Sequence, residues 1–247
     1  MNRIRVGAVS YLNTKPLLYG LHHFEPLQNR FSLVEDYPSA VSKKLQDNEI
    51  DVGLVPVAVI PTLAFAEIIS EYCIGAEGKV ASVCLFSQVP LQEIDTILLD
   101  FQSRSSIALC QILCKEFWGI QPKFVPATAG FEALVSGTTA AVIIGDRAFA
   151  HLNTTPFVYD LAEAWQQYTQ LPFVFAAWVA NKALPRDWID VFNQANALGL
   201  QHIPEVAANY AIADYSLLKY YTANISYRLT PQKKQGLQLF LQKLAKL

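Results

Sequence analysis

Small hydroxyl and amide side chains gather at three places in this chain: Ser10-Tyr11-Leu12-Asn13-Thr14, the pair Ser82 and Ser87, and Ser103-Arg104-Ser105-Ser106. The first follows an apolar strand-like run, the second lies within one, and the third opens a helical one. Strand C-termini and helix N-termini expose free backbone N–H groups and a positive dipole end, which suits a carboxylate ligand. Groups of this kind position a substrate and stabilise charge. Each also has a plainer reading, since Asn13, Ser105 or Ser106 could simply cap a helix. The isolated carboxylates Glu35, Asp100, Asp146 and Asp214 are candidate acids or bases, although such residues more often serve as caps or surface partners.

The standard catalytic sets are missing. No G-x-G-x-x-G or phosphate-loop pattern is present, which argues against a nucleotide, and no serine sits in a G-x-S-x-G elbow. Cys110 and Cys114 are one helical turn apart, but with Ile107 and Phe117 they form one apolar stripe, and Cys73 and Cys84 lie in strand-like runs. All four read as small buried hydrophobes. His22, His23, His151 and His202 stand at no ligand-like spacing from them. No metal and no cofactor are expected.

The elements that must position these groups belong to a chain of 247 residues, 52% apolar and 16% charged, with a formal charge of −2. At about 150 residues per domain, that is one large domain or two small ones. The charge balance lacks the basic stripe that nucleic acid requires. The longest apolar run, Phe173 to Ala180, is eight residues, well short of the roughly 20 that span a membrane. Met1-Asn2-Arg3-Ile4-Arg5 leads directly into an alternating segment without an apolar signal core. A cytoplasmic protein is expected, either a monomer or a homodimer.

Strand-like runs at 3–9, 31–35 and 51–56 alternate with helices opened by Pro16 and Pro38, which indicates a βαβ arrangement. A further strand is expected over Val80–Phe86, ending at Ser87. The rhythm then restarts, with strands at 96–99, 123–125 and 140–144, a helix from about Ser105 to Phe117 and another over 130–135. Strand 172–180 carries the chain back, and the remainder is helical, ending in a helix capped by Thr230 before Pro231. This predicts two α/β lobes with mainly parallel sheets flanked by helices: residues 1–87 plus 178–247, with 88–177 inserted. A ligand cleft would lie between the lobes. That is the layout of a type II periplasmic-binding-protein-like fold.

Several segments carry a resemblance. Ser10-Tyr11-Leu12-Asn13-Thr14-Lys15-Pro16-Leu17 resembles the opening signature of the chorismate dehydratases of the futalosine route to menaquinone. So do Asp51-Val52-Gly53-Leu54-Val55-Pro56-Val57, Ser82-Val83-Cys84-Leu85-Phe86-Ser87, Ser103-Arg104-Ser105-Ser106, Ile144-Gly145-Asp146 and Leu171-Pro172-Phe173-Val174-Phe175-Ala176-Ala177-Trp178, with Trp165 and Thr169 before the last. The segments run in family order over most of the chain, with a weaker echo at Tyr227-Arg228-Leu229. Gln170 stands where the family has Gly, and Ser105 where it has Thr.

The resemblance implies the two-lobed fold and a cofactor-free lyase that converts chorismate to 3-[(1-carboxyvinyl)oxy]benzoate. It places the active-site Asn on Asn13 and the active-site Ser on Ser82. Ser105 and Ser106 fall on a hydroxyl pair that could hold a ring carboxylate, and Ser10, Tyr11 and Asp146 are expected to contact substrate. Lys15, Arg104 and Arg147 flank these motifs as possible cationic partners. Two other functions fit the same cleft. One is a binding protein for a small anion. The other is the related dihydroxynaphthoate synthase, which would need a histidine base, with His151 as the candidate.

Overall fold

The computed structural model describes residues 3–212 and 214–247; Met1 and Asn2, which begin the segment read as lacking a signal core, lie outside the described residues. Two mixed β-sheets divide the chain. The first sheet starts with strands β1 (Ile4–Val9), β2 (Phe31–Asp36) and β3 (Val52–Pro56), joined by helices α1 (Lys15–His23) and α2 (Pro38–Gln46). These three strands are parallel, with β1 in the middle. Strand β4 (Glu67–Ala76) leads toward the second sheet, which is built from β5 (Val83–Ser87), β6 (Thr96–Leu99), β7 (Lys123–Pro126), β8 (Thr139–Ile144) and β9 (Phe157–Asp160) in the order β7-β6-β8-β5-β9. Helix α3 (Arg104–Leu113) connects β6 to β7, and α4 (Leu161–Thr169) follows β9.

Strand β10 (Phe173–Ala180) returns to the first sheet and lies antiparallel between β3 and β4. Helices α5 (Arg186–Gln201), α6 (Ile203–Ala208) and α7 (Leu217–Lys219), the short edge strand β11 (Ser226–Arg228) and helix α8 (Pro231–Leu244) complete the chain. The first sheet therefore reads β11-β4-β10-β3-β1-β2.

Three expectations are corrected. The sheets are mixed, because five of the nine strand pairings are antiparallel. The parallel pairs come from the βαβ steps, while the strands that carry the chain across and back insert antiparallel. The sheet crossings also fall earlier than residues 87/88 and 177/178. Strand β5 pairs with β8 and β9 in the second sheet, and all of β10 pairs in the first. The helix expected over 130–135 is a single tight turn, Phe131–Leu134.

One apolar cluster runs through both sheets and is supplemented by a smaller one in the second. Helices α1 and α5 touch backbone to backbone at two glycines: a Cβ on Gly20 would lie 1.8 Å from the Ala195 carbonyl oxygen, and one on Gly199 would lie 1.9 Å from that of Pro16. This close approach fixes α1, and α1 carries the loop that follows β1. Trp165 of α4, Phe173 of β10 and Phe240 of α8 pack edge to face, tying the return strand to helices on either side of it. At Gln170 the backbone is left-handed (φ 60°) and ends α4, the conformation for which a glycine is the usual choice. The Gln170 amide closes the turn on the Gln166 carbonyl, and its side chain donates to the Gln167 carbonyl. No described helix is long and apolar enough to cross a membrane.

Asp51 opens β3 and is buried. It accepts from the Arg5 amide at 2.9 Å and pairs with the Arg5 guanidinium at 2.7 Å and Lys182 at 2.8 Å. Burial pushes its carboxyl up, but the bonds from Arg5 and Lys182 prevail and hold it at about 2. A depressed native value stabilises the fold above the unfolded carboxylate range, and that contribution is lost as pH falls through about 2. Asp51→Asn is expected to lower unfolding free energy by roughly 2 kcal/mol at neutral pH. In denaturant titrations at a series of pH values, the gap to the parent should close between about pH 4 and pH 2. A gap independent of pH would show that the ion pair contributes nothing.

Candidate active site

A cavity lies between the sheets, walled by Val9, Leu54 and Phe175 on one side and Val83 and Ile144 on the other. Its polar groups come from three segments. The loop after β1 contributes Tyr11, Asn13 and Thr14, the turn into β5 contributes Ser82, and the start of α3 contributes Ser103 and Ser106. No Asp, Glu, His, Lys or Arg is among the described lining residues. The single titratable side chain there is Tyr11, whose phenol is pushed far up by burial and by Asp100, against the pull of Arg147.

Asn13 sits in the turn that joins β1 to α1. Thr14, fully buried, donates from Oγ1 to Asn13 Oδ1 at 3.1 Å. With its oxygen accepting from Thr14, the Asn13 amide has its N–H₂ end to donate, and the Tyr220 hydroxyl lies within its reach. Tyr227 donates to the Asn13 backbone carbonyl at 2.9 Å and fixes the turn from below. The residue at the N-cap of α1 is Thr14, and no side chain caps that helix, so Asn13 is not a cap.

Ser82 reaches the same space by a different local device. The expected strand Val80–Phe86 begins only at Val83, because Ala81 turns the backbone left-handed (φ 63°). The turn is held by the Ala81 amide on Asp160 at 2.7 Å and by the Gly145 amide on the Ser82 carbonyl at 2.8 Å. Because β5 is antiparallel to β8, its start lies beside the end of β8. Ser82 thus shares a rim with strand C-termini while itself standing at a strand's beginning. Its Oγ is 2.7 Å from the Tyr220 hydroxyl. Ser87 lies at the other end of β5, bonded to Val89 and away from the cavity.

At the third segment the expected pair Ser105 and Ser106 is replaced by Ser103 and Ser106. Ser103 caps α3 by accepting from the Ser106 amide, and the two hydroxyls are 3.0 Å apart. Ser105 points elsewhere, accepting from the Ala58 amide at 3.1 Å and docking α3 onto the turn after β3. The reason is helical geometry: positions three apart share a face, and adjacent positions do not.

The other residues expected to contact substrate are placed as follows. Ser10 continues the β1 pairing through its amide to the Asp36 carbonyl and does not line the cavity. Asp146 accepts from the Leu12 amide at 3.2 Å, linking the β1 loop to the end of β8. Burial raises its carboxyl, against the Leu12 bond and Lys15. The Tyr11 ring covers Gly145, where a Cβ would come within 3.0 Å of it, and the Tyr11 hydroxyl bonds Gln102. Lys15 pairs with Glu35, and Arg147 pairs with Asp100 and Glu132. His151 packs on Phe86 and does not line the cavity. Among the described residues no three His, Cys, Asp or Glu side chains converge to hold a metal ion.

Sequence reasoning named Thr14 and Ser103 only as members of their clusters, without a role of their own, and missed Tyr220 and Tyr227. Thr14 and Ser103 lay inside quoted motifs, so position alone could have flagged them. The C-terminal tyrosines gave no signal beyond an aromatic-rich stretch. Chemically, the site is an uncharged, largely apolar pocket with a few hydroxyl and amide groups and a helix N-terminus at one pole, fit for a small carboxylate-bearing ligand.

Comparisons with known proteins agree with this geometry. Solved structures share the fold: a protein from Archaeoglobus fulgidus superposes with a TM-score of 0.74 at 12% identity, covering 99% of this chain and 97% of its own. The periplasmic aliphatic sulphonate binding protein SsuA from Escherichia coli gives 0.61 at 16% identity, covering 98% and 87%. These show the periplasmic-binding-protein-like architecture. In sequence, the chain is similar to the chorismate dehydratase of Thermus thermophilus, 29% identical over 97% of this chain and 94% of the relative. It is also similar to that of Campylobacter jejuni, 24% identical over 95% of each. The sequence model of the menaquinone biosynthesis family matches residues 4–246. From end to end of the cavity-bearing fold, this chain is a member of the menaquinone biosynthesis family, and an enzyme.

Proposed function

We propose that the cavity binds chorismate and eliminates water from it, giving 3-[(1-carboxyvinyl)oxy]benzoate as the opening step of the futalosine route to menaquinone. The observation that carries this reading is a pocket with carboxylate-binding donors at two poles and no carboxylate, imidazole or amine among its described lining residues, in a chain similar to two chorismate dehydratases. Chorismate has two carboxylates. The ring carboxylate fits the N-terminus of α3 with Ser103 and Ser106, and the enolpyruvyl carboxylate fits Asn13 and Ser82.

In this reading the enolpyruvyl carboxylate itself takes the ring proton. The electron pair of the broken C–H bond forms a ring double bond, the ring hydroxyl leaves, and that hydroxide with one proton becomes water. Aromatisation supplies the driving force. The protein aligns the base and stabilises developing charge, tasks for which fixed neutral donors suffice. The sheets would then act as lobes hinged at the two crossings, with Tyr11 and Asp146 holding them shut over the substrate. The four buried thiols support a reducing cytoplasmic setting.

The test is to incubate purified protein with chorismate, without added cofactor or metal, and follow ultraviolet absorbance. Many equivalents of the aromatic enol ether should form per protein, and turnover should survive exhaustive chelation, since the described lining residues include no metal-ligand set. A change that stops at one equivalent would make the protein a binder of small anions, and loss of turnover restored by metal would overturn the cofactor-free mechanism.

A further inference from the structure

We propose that Tyr220 is a positioning residue for the reaction: its hydroxyl donates to Ser82 Oγ and so turns the Ser82 proton into the cavity, toward the substrate carboxylate. This rests on the chorismate reading of the cavity. A serine hydroxyl has one proton and rotates freely, so its donor direction is set by whatever occupies its oxygen. The Tyr220 hydroxyl lies 2.7 Å from Ser82 Oγ, and both side chains are fully buried. The Tyr220 ring is packed edge-on against Phe149 with centroids 5.0 Å apart. The Ser82 backbone is pinned by the Gly145 amide. Burial raises the Tyr220 phenol far above its ordinary range, against the hydrogen bond to Ser82, so it remains a protonated donor.

The outcome is a directed relay, Tyr220 hydroxyl to Ser82 hydroxyl to carboxylate, in which each bond polarises the next. The same C-terminal stretch serves the opposite side of the pole through Tyr227, which donates to the Asn13 carbonyl at 2.9 Å. Both groups assigned to the base carboxylate are thereby held by tyrosines of one segment, although Ser82 and Asn13 stand on different sheets' loops.

The test is a double-mutant cycle on the full chain with Tyr220→Phe, Ser82→Ala and their combination. Tyr220→Phe keeps the ring and should lower kcat about 10- to 50-fold while KM changes less than about 3-fold; in the Ser82→Ala background the same change should cost less than about 2-fold. Parent-like kcat in Tyr220→Phe, or an equal loss in both backgrounds, overturns the proposal and leaves Tyr220 a packing residue. A parent chain that fails to turn over chorismate overturns the function and this assignment together, so the two failures are told apart by the parent's own rate. Should Tyr220→Phe not fold, 3-fluorotyrosine at position 220 preserves shape and bond. Its fluorine resonance should then move on Ser82→Ala and on addition of the enol ether product, and a resonance indifferent to either overturns the proposal.

Discussion

Asn13→Asp is expected to fold with a melting temperature within about 3 °C of the parent and to turn over chorismate at least about 100-fold more slowly. The two side chains have the same shape, and Asp retains an oxygen to accept from Thr14 as Asn13 Oδ1 does at 3.1 Å. What changes is the other end of the group. The donor facing the cavity becomes a negatively charged oxygen opposite the carboxylate that has to take the ring proton. Repulsion would tilt that carboxylate away from the reacting hydrogen, and loss of alignment on this scale costs on the order of 100-fold or more. Because no side chain caps α1, the stability change that accompanies a lost cap, about 0.5–2 kcal/mol, is not expected. Circular dichroism melts and steady-state kinetics separate the two. A parent-like rate in Asn13→Asp would remove the anchor of the substrate-assisted mechanism.

Ser106→Asp probes the other pole and should act on binding. Ser103 caps α3, and residue 106 is the third helical position after it. An acidic residue there completes a capping box and meets the positive end of the helix dipole. The helix should tolerate the change, but the site that would receive the ring carboxylate then already holds an anion. KM for chorismate is expected to rise at least about 50-fold, equivalent to roughly 2 kcal/mol of lost binding. Ser106→Ala, which removes only one hydroxyl, should cost about 10-fold or less. An unchanged KM in Ser106→Asp would place the ring carboxylate elsewhere in the cavity. Kinetics in which Asn13→Asp falls in kcat and Ser106→Asp rises in KM would assign the two carboxylates to opposite poles.

Much of the frame was legible before any coordinates. Local signals sufficed where strand and helix alternate with proline punctuation: β1 to α1, β2 to α2, β3, and the β6-α3-β7-β8 run. Thr230 followed by Pro231 marks the start of α8, and the structure shows Thr230 capping there. Strand β4 has no clean alternation and pairs through bulges with β10, so only the strand-like run around Cys73 hinted at it and its ten-residue extent was not read. Strand β9 with helix α4, and the three-residue β11, were likewise not seen. The direction in which a strand inserts was equally out of reach. A buried strand looks apolar whether its neighbours run with it or against it, and the five antiparallel pairings follow from how the chain crosses between sheets.

Sequence alone placed Asn13 and Ser82 among the candidates and identified residues 103–106 as a helix start, because turn residues and caps are short-range chemistry. It did not decide which hydroxyls converge. Ser105 and Ser106 are neighbours in sequence, yet a helix turns about 100° per residue, so Ser106 shares a face with Ser103 while Ser105 bonds the Ala58 amide. Asp146 holds Leu12 across 134 residues of chain, and Tyr220 finds Ser82 across 138. Contacts at such separation leave no local pattern. They exist only because the two sheets close on one another, which is why the residues that could donate were written in the sequence and the direction of each donor was settled by tertiary structure.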